Sequence, residues 1–266
     1  MTTLATPTVH RQLPAAAHPR VRPIPFLRLV RVEARKLVDT RAGRGLLIAM
    51  GLITAGIDAL LLATAAPEGL TYHSLTSISA GPQSVLLPIL GILAVTGEWS
   101  QRTALITFAL EPRRVRVAVA KLVAAGLAGL LAVVAALTLG AVANLVGLLF
   151  FEGQGAWTFP AGQLAGGVLA QLIVIAVGVA LGLALRNGPL AIVAYLALPT
   201  AWTFTSGLVS GLQPLGPWLD LTMSTMPLLE AKMQAADWAH LGTAGLVWIG
   251  LPFVIGVLRL TRGEIK

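Results

Sequence analysis

Six long apolar blocks, separated by short polar stretches, decide what this chain can fold into. A helix crosses a bilayer with about 20 mostly apolar residues. The blocks that qualify are Gly45–Ala65, Ser77–Thr96, Leu122–Phe150, Leu164–Leu185, Leu190–Leu208 and Leu241–Leu260. None alternates in polarity as the strands of a membrane barrel do, so the expected fold is an all-α integral membrane protein with six transmembrane helices. Composition agrees: 56% of the 266 residues are hydrophobic and 11% are charged, where a soluble domain carries about 25% charged residues.

Charge placement gives the orientation. Of the 19 Lys and Arg, all but Lys232 fall before the first span, between spans two and three, between four and five, or at the end of six and beyond it. Positive residues stay on the cytoplasmic side. Both termini are therefore expected in the cytoplasm, in a multi-pass protein of the plasma membrane. The net charge of +8 is explained by this rule and by contact with membrane lipids, with no need for nucleic acid. Residues 1–23 lack the apolar core of a signal peptide and read as a disordered cytoplasmic tail, which leaves 24–266 as the membrane domain.

Two cytoplasmic stretches stand out. PFLRLVRVEARKLVD, from Pro25 to Asp39, places Phe26, Leu27, Val30, Ala34, Leu37 and Val38 on one helical face. Arg28, Arg31 and Arg35 cluster beside that face, with Glu33 and Lys36 in the same segment. This pattern predicts an amphipathic interfacial helix with its apolar side in the lipid boundary. Leu29 and Val32 interrupt its polar face and are candidates for contact with protein instead.

The second stretch, GEWSQRTALITFALEPRRVRVAVAK, from Gly97 to Lys121, interrupts the apolar blocks with charge. Glu98 and Arg102 have the spacing of a helical ion pair. Thr103 to Leu110 reads as a short helix with Leu105, Phe108 and Ala109 on one side, ended by Pro112. Arg113, Arg114 and Arg116 are placed to meet lipid phosphates, and Lys121 opens the third span. A short helix with an apolar side outside the bilayer is a candidate docking knob for a soluble partner.

These stretches resemble the permease subunits of ATP-binding-cassette transporters of the type-2 exporter class. VEARKLVDTRAGRGLL, from Val32 to Leu47, is similar to that family's approach to its first span, with Glu33, Lys36, Asp39, Thr40 and Arg41 at matching places. ILAVTGEWSQRTALITFALEPRRVRVAVAKL is similar to its coupling region, where Glu98, Thr103, Pro112, Arg113 or Arg114, and Lys121 match in order. The last span with its short basic tail, LPFVIGVLRLTRGEIK, fits as well. The resemblance implies a dimer of permeases, homo- or heteromeric, paired with ABC ATPase subunits. The strip between spans two and three would be the coupling helix seated on the ATPase. ATP and magnesium would belong to that partner, and none of the chain's own residues would hold a cofactor. The chain has no GxxxxGK[ST] phosphate loop, consistent with hydrolysis elsewhere.

Between spans five and six, Ser210 to His240 carries Pro214, Pro217 and Pro227, with Trp218 and Trp238. It predicts one or two short helices at the outer leaflet, Pro227 opening one of them. Asp58 is the one acid deep in a span, and a central Asp costs about 3 kcal/mol to insert. It is a candidate for the translocation path or for pairing with a polar neighbour such as Asn144. Enzyme chemistry finds little support: His10, His18, His73 and His240 form no metal motif, and no paired acids lie in the spans. The competing readings are an ion-coupled secondary transporter and a non-transporting, permease-like sensor or scaffold.

Overall fold

The computed structural model describes residues 24–101 and 103–262, and among these no strand occurs. Helix α1, Phe26–Asp39, meets α2, Arg41–Thr64, at Thr40, whose side chain accepts from the Gly43 amide and caps α2. There follow α3, Tyr72–Ser79, α4, Gln83–Ser100, α5, Ala104–Leu110, α6, Arg114–Phe150, α7, Ala161–Leu185, and α8, Gly188–Leu208. Two short helices, α9, Gly216–Leu219, and α10, Leu221–Leu229, precede α11, Ala235–Gly245. A π-helical turn over Leu246–Gly250 joins α11 to α12, Leu251–Arg262, as one continuous rod. Six of these helices are long and apolar enough to span a membrane: α2, α4, α6, α7, α8 and the α11–α12 rod.

The count agrees with the sequence, and the boundaries move. The second span begins at Gln83 instead of Ser77, because the chain turns at Ala80–Pro82 and leaves Tyr72–Ser79 as a separate helix. Thr71 starts that separate helix with a capping box, its hydroxyl accepting from the Ser74 amide. The third span is longer than expected at 37 residues, about 55 Å at 1.5 Å per residue. It projects well past an apolar layer of about 30 Å. Pro227 lies inside α10 and does not open it; Asp220 does, accepting from the Thr222 and Met223 amides.

The bundle is built around α7. Ten of its 25 residues are buried, against two of the 21 in α8. The apolar faces of α2 and α8, with Leu52 and Leu60 on one and Val193 and Leu198 on the other, are exposed. Helices α4 and α7 approach most closely at Gly178, where any Cβ would run into the Pro88 carbonyl. Gly178→Val is therefore expected to destabilise the bundle by about 3 kcal/mol, the upper range for overpacking. A thermal melt in detergent checks this, with Gly167→Val, where the space is open, as the neutral comparison.

Candidate functional site: a buried charge ring under a short helix

Helix α1 is amphipathic, but its buried face is turned onto the bundle and packs mainly on α6. That face is Leu29, Val30, Glu33 and Leu37. Val30 and Leu37, expected in lipid contact, are thus buried against the protein, and only Leu27 and Val38 of that apolar stripe are well exposed. The correction has a clear cause. Glu33 lies in the middle of the inward face and has a cation waiting for it, so the helix rotates to bury the acid.

That cation is Lys121, 2% exposed along its side chain. Its Nζ lies 2.6 Å from Glu33 Oε2, 3.1 Å from Glu98 Oε1, and donates to the Ala94 carbonyl at 3.1 Å. Lys36 closes the circle, its Nζ 2.7 Å from Glu33 Oε1 and 2.6 Å from Glu98 Oε1. Two lysines and two glutamates thus alternate in a ring drawn from α1, α4 and α6. The ring is electrically neutral, which is what permits burial of charges that would otherwise each cost several kcal/mol. Glu98 Oε1 also accepts from the Thr107 hydroxyl at 3.0 Å. That bond ties α5 to the ring.

Lys36, at the wetter edge, holds its proton to higher pH than an ordinary lysine. Burial pulls the other way, and the hydrogen bonds and charges of Glu33 and Glu98 more than reverse it. A raised folded-state pKa means the stabilisation is complete below the unfolded value of about 10.4 and is lost as pH rises through the folded one. The stability gap between wild type and Lys36→Met is expected to be constant from about pH 7 to pH 10 and to narrow only above that range. Chemical denaturation at stepped pH measures it.

The other site residues sort into inward and outward groups. The Glu98–Arg102 pair expected from sequence involves a residue outside the described ones; the described partners of Glu98 are Lys36, Lys121 and Thr107. Phe108, expected on the docking side, is buried in the chain's own core, with the Arg114 guanidinium 5.6 Å from its ring centroid. The face of α5 left bare consists of Leu105, Ile106, Ala109 and Leu110. Arg114 and Arg116, expected at lipid phosphates, also turn inward. Arg114 donates to the Leu260 carbonyl, and Arg116 pairs with Glu111 at 2.8 Å and donates to the Ile24 carbonyl at 2.9 Å. Arg113 is exposed, as are Arg28, Arg31 and Arg35 on α1, the last paired with Asp39 at 3.0 Å. Thr103 and Pro112 bracket α5, and extended backbone at Glu111 ends it, as the proline requires. Residues 1–23, read as a tail, lie outside the described residues.

A cavity of about 450 Å³ opens between α1, α4 and α5. Glu33, Lys36, Glu98 and Thr107 form its polar part, and Val32, Leu93 and Ile106 are among its apolar walls. No cluster of three or more His, Cys, Asp or Glu side chains suited to a metal occurs among the described residues. Asp58 is buried, facing α3 and not the open side of α2.

Sequence reasoning placed Glu33 and Lys121 in the right segments but did not join them. The signal was present: a lysine inside VAVAKLVAA has to find a counter-charge, and few acids lie near enough in the topology. A scan against protein-family models gives no match to this chain, and neither does a search of curated proteins.

Proposed function

We propose that this chain is the permease subunit of an ABC transporter, working as an exporter, with both termini in the cytoplasm. A second permease copy completes the path, and separate ATPase subunits dock on α5. The observation that carries the reading is the buried ring. Helix α5 is a short amphipathic element that is bare on one side and, on the other, tied through Thr107 and Glu98 to three longer helices. A force applied to its bare side is transmitted to α1, α4 and α6 together, since the ring cannot open without stranding buried charge. Closure of the ATPase pair on ATP would thus be converted into movement of spans two and three and of the helix leading into span one. The open apolar faces of α2 and α8 supply surface for the second copy and for lipid.

The test is purification of the tagged chain from its own host in mild detergent. Co-purification of a nucleotide-hydrolysing subunit in equal ratio to the permease supports the reading. A folded chain recovered free of any ATPase counts against it.

A further inference from the structure

At the opposite end of the bundle from the ring, we infer a binding site for a small monovalent cation of sodium size, built by α2, α3 and α6 around Asp58. This goes beyond the docking of an ATPase and does not depend on it.

Five polar side chains meet there, each more than nine-tenths buried: Thr54 and Asp58 on α2, Thr76 and Ser79 on α3, and Asn144 on α6. Thr54 and Asp58 are four residues apart and share one face of α2; Thr76 and Ser79, three apart, share one face of α3. The Ser79 hydroxyl faces Asp58. Thr76 lies directly on Gly140 of α6, where any Cβ would collide with its hydroxyl. Asn144 is one turn along from Gly140 on the same side. Leu62 packs on Gly147, and α2 and α6 run parallel as first and third spans. Asp58 stands four residues before Leu62 and Asn144 three before Gly147, so the two come to nearly the same level. The site lies about 9 Å of helix from the end of α2 at Thr64.

Apart from the approach of Ser79 to Asp58, these groups lack a hydrogen-bond partner among the described residues: both oxygens of Asp58, the hydroxyls of Thr54, Thr76 and Ser79, and both polar atoms of Asn144. Threonines elsewhere in the helices behave differently. Thr64, Thr96, Thr138, Thr200 and Thr205 each return their hydroxyl to the carbonyl four residues earlier. The hydroxyls of the cluster decline that local bond and leave their lone pairs for a common ligand. Buried polar atoms in this number call for one.

The chemistry of the donors selects the ligand. The atoms able to ligate, the Asp58 carboxylate, the three hydroxyls and Asn144 Oδ1, are hard oxygens, which suit alkali and alkaline-earth ions. A single carboxylate balances a single positive charge, whereas calcium sites use several acidic ligands. One proton on Asp58 would cancel the charge but add only a single donor to the cluster. A sodium ion satisfies the carboxylate, the three hydroxyls and the Asn144 carbonyl together, and cancels the buried charge.

Thermal unfolding of the purified protein in detergent tests this, with sodium chloride exchanged for choline chloride at constant ionic strength. Sodium is expected to raise the midpoint by about 4 °C when present at roughly ten times its dissociation constant. Asp58→Asn is expected to abolish the response. If that variant fails to fold, Thr54→Val and Thr76→Val, which keep the side-chain shape, are expected each to shift the sodium titration about tenfold to higher concentration. A wild-type midpoint equal in sodium and choline overturns the proposal, including when it responds to pH alone, which would make the occupant a proton. So does an unchanged sodium titration in both valine variants.

Discussion

Lys121→Met is expected to destabilise the protein by about 3–5 kcal/mol, the range for removing one partner of a buried ion pair. On thermal unfolding this is on the order of 10 °C. The substitution leaves Glu33 and Glu98, both almost fully buried, to share the single charge of Lys36. Size is not the cause, since methionine fills most of the same volume. The double variant Glu33→Gln with Lys121→Met separates charge from packing. It leaves a neutral Lys36–Glu98 pair, so it is expected to be more stable than Lys121→Met alone, with a coupling of about 2 kcal/mol. If Lys121→Met melts like wild type, the ring is not closed in the folded protein.

The second large effect separates the two sides of α5. Leu105→Asp and Ile106→Asp change side chains that are 56% and 63% exposed. Stability is expected to move by less than about 0.5 kcal/mol, while ATPase binding and substrate transport are lost. Phe108→Asp is expected to do the reverse of a clean docking defect. It places a charge among core residues beneath the Arg114 guanidinium and costs at least about 3 kcal/mol. Uncoupling seen with Phe108 alone would report unfolding of α5. The informative measurement is transport in reconstituted vesicles beside a melting curve for each variant. Full transport with Ile106→Asp would remove α5 as the docking element.

Much of this architecture was legible because a bilayer leaves the backbone few choices. Apolar length gave the six long helices, and Pro112 gave the end of α5. What failed to show was rotation about helix axes. On α1 the apolar stripe was visible, but the choice between lipid and protein depended on Glu33 reaching Lys121, 88 residues away in sequence. On α5 a seven-residue helix offers too few positions for periodicity to tell its inner side from its outer one. Phe108 goes inward because Arg114 and the core of α1, α4 and α6 are there to receive it. The start of the second span was misplaced because Ser77–Ala80 is apolar enough to extend the block, while the turn at Gly81–Pro82 breaks it. The polar cluster at Asp58 draws two residues from α2, two from α3 and one from α6, so the spacing within any one helix did not show that they meet.

The central claim is that the bare side of α5 is where force enters. The chain has no cysteine, so one can be introduced at Leu105 without background. A short photo-crosslinker on Leu105→Cys, activated in native membranes, reads what lies against that face. The expected result is one adduct containing an ATPase subunit, absent when the label is placed on Leu60→Cys at the exposed face of α2. Crosslinking of Leu105 to lipid alone, in membranes where transport is active, would contradict it.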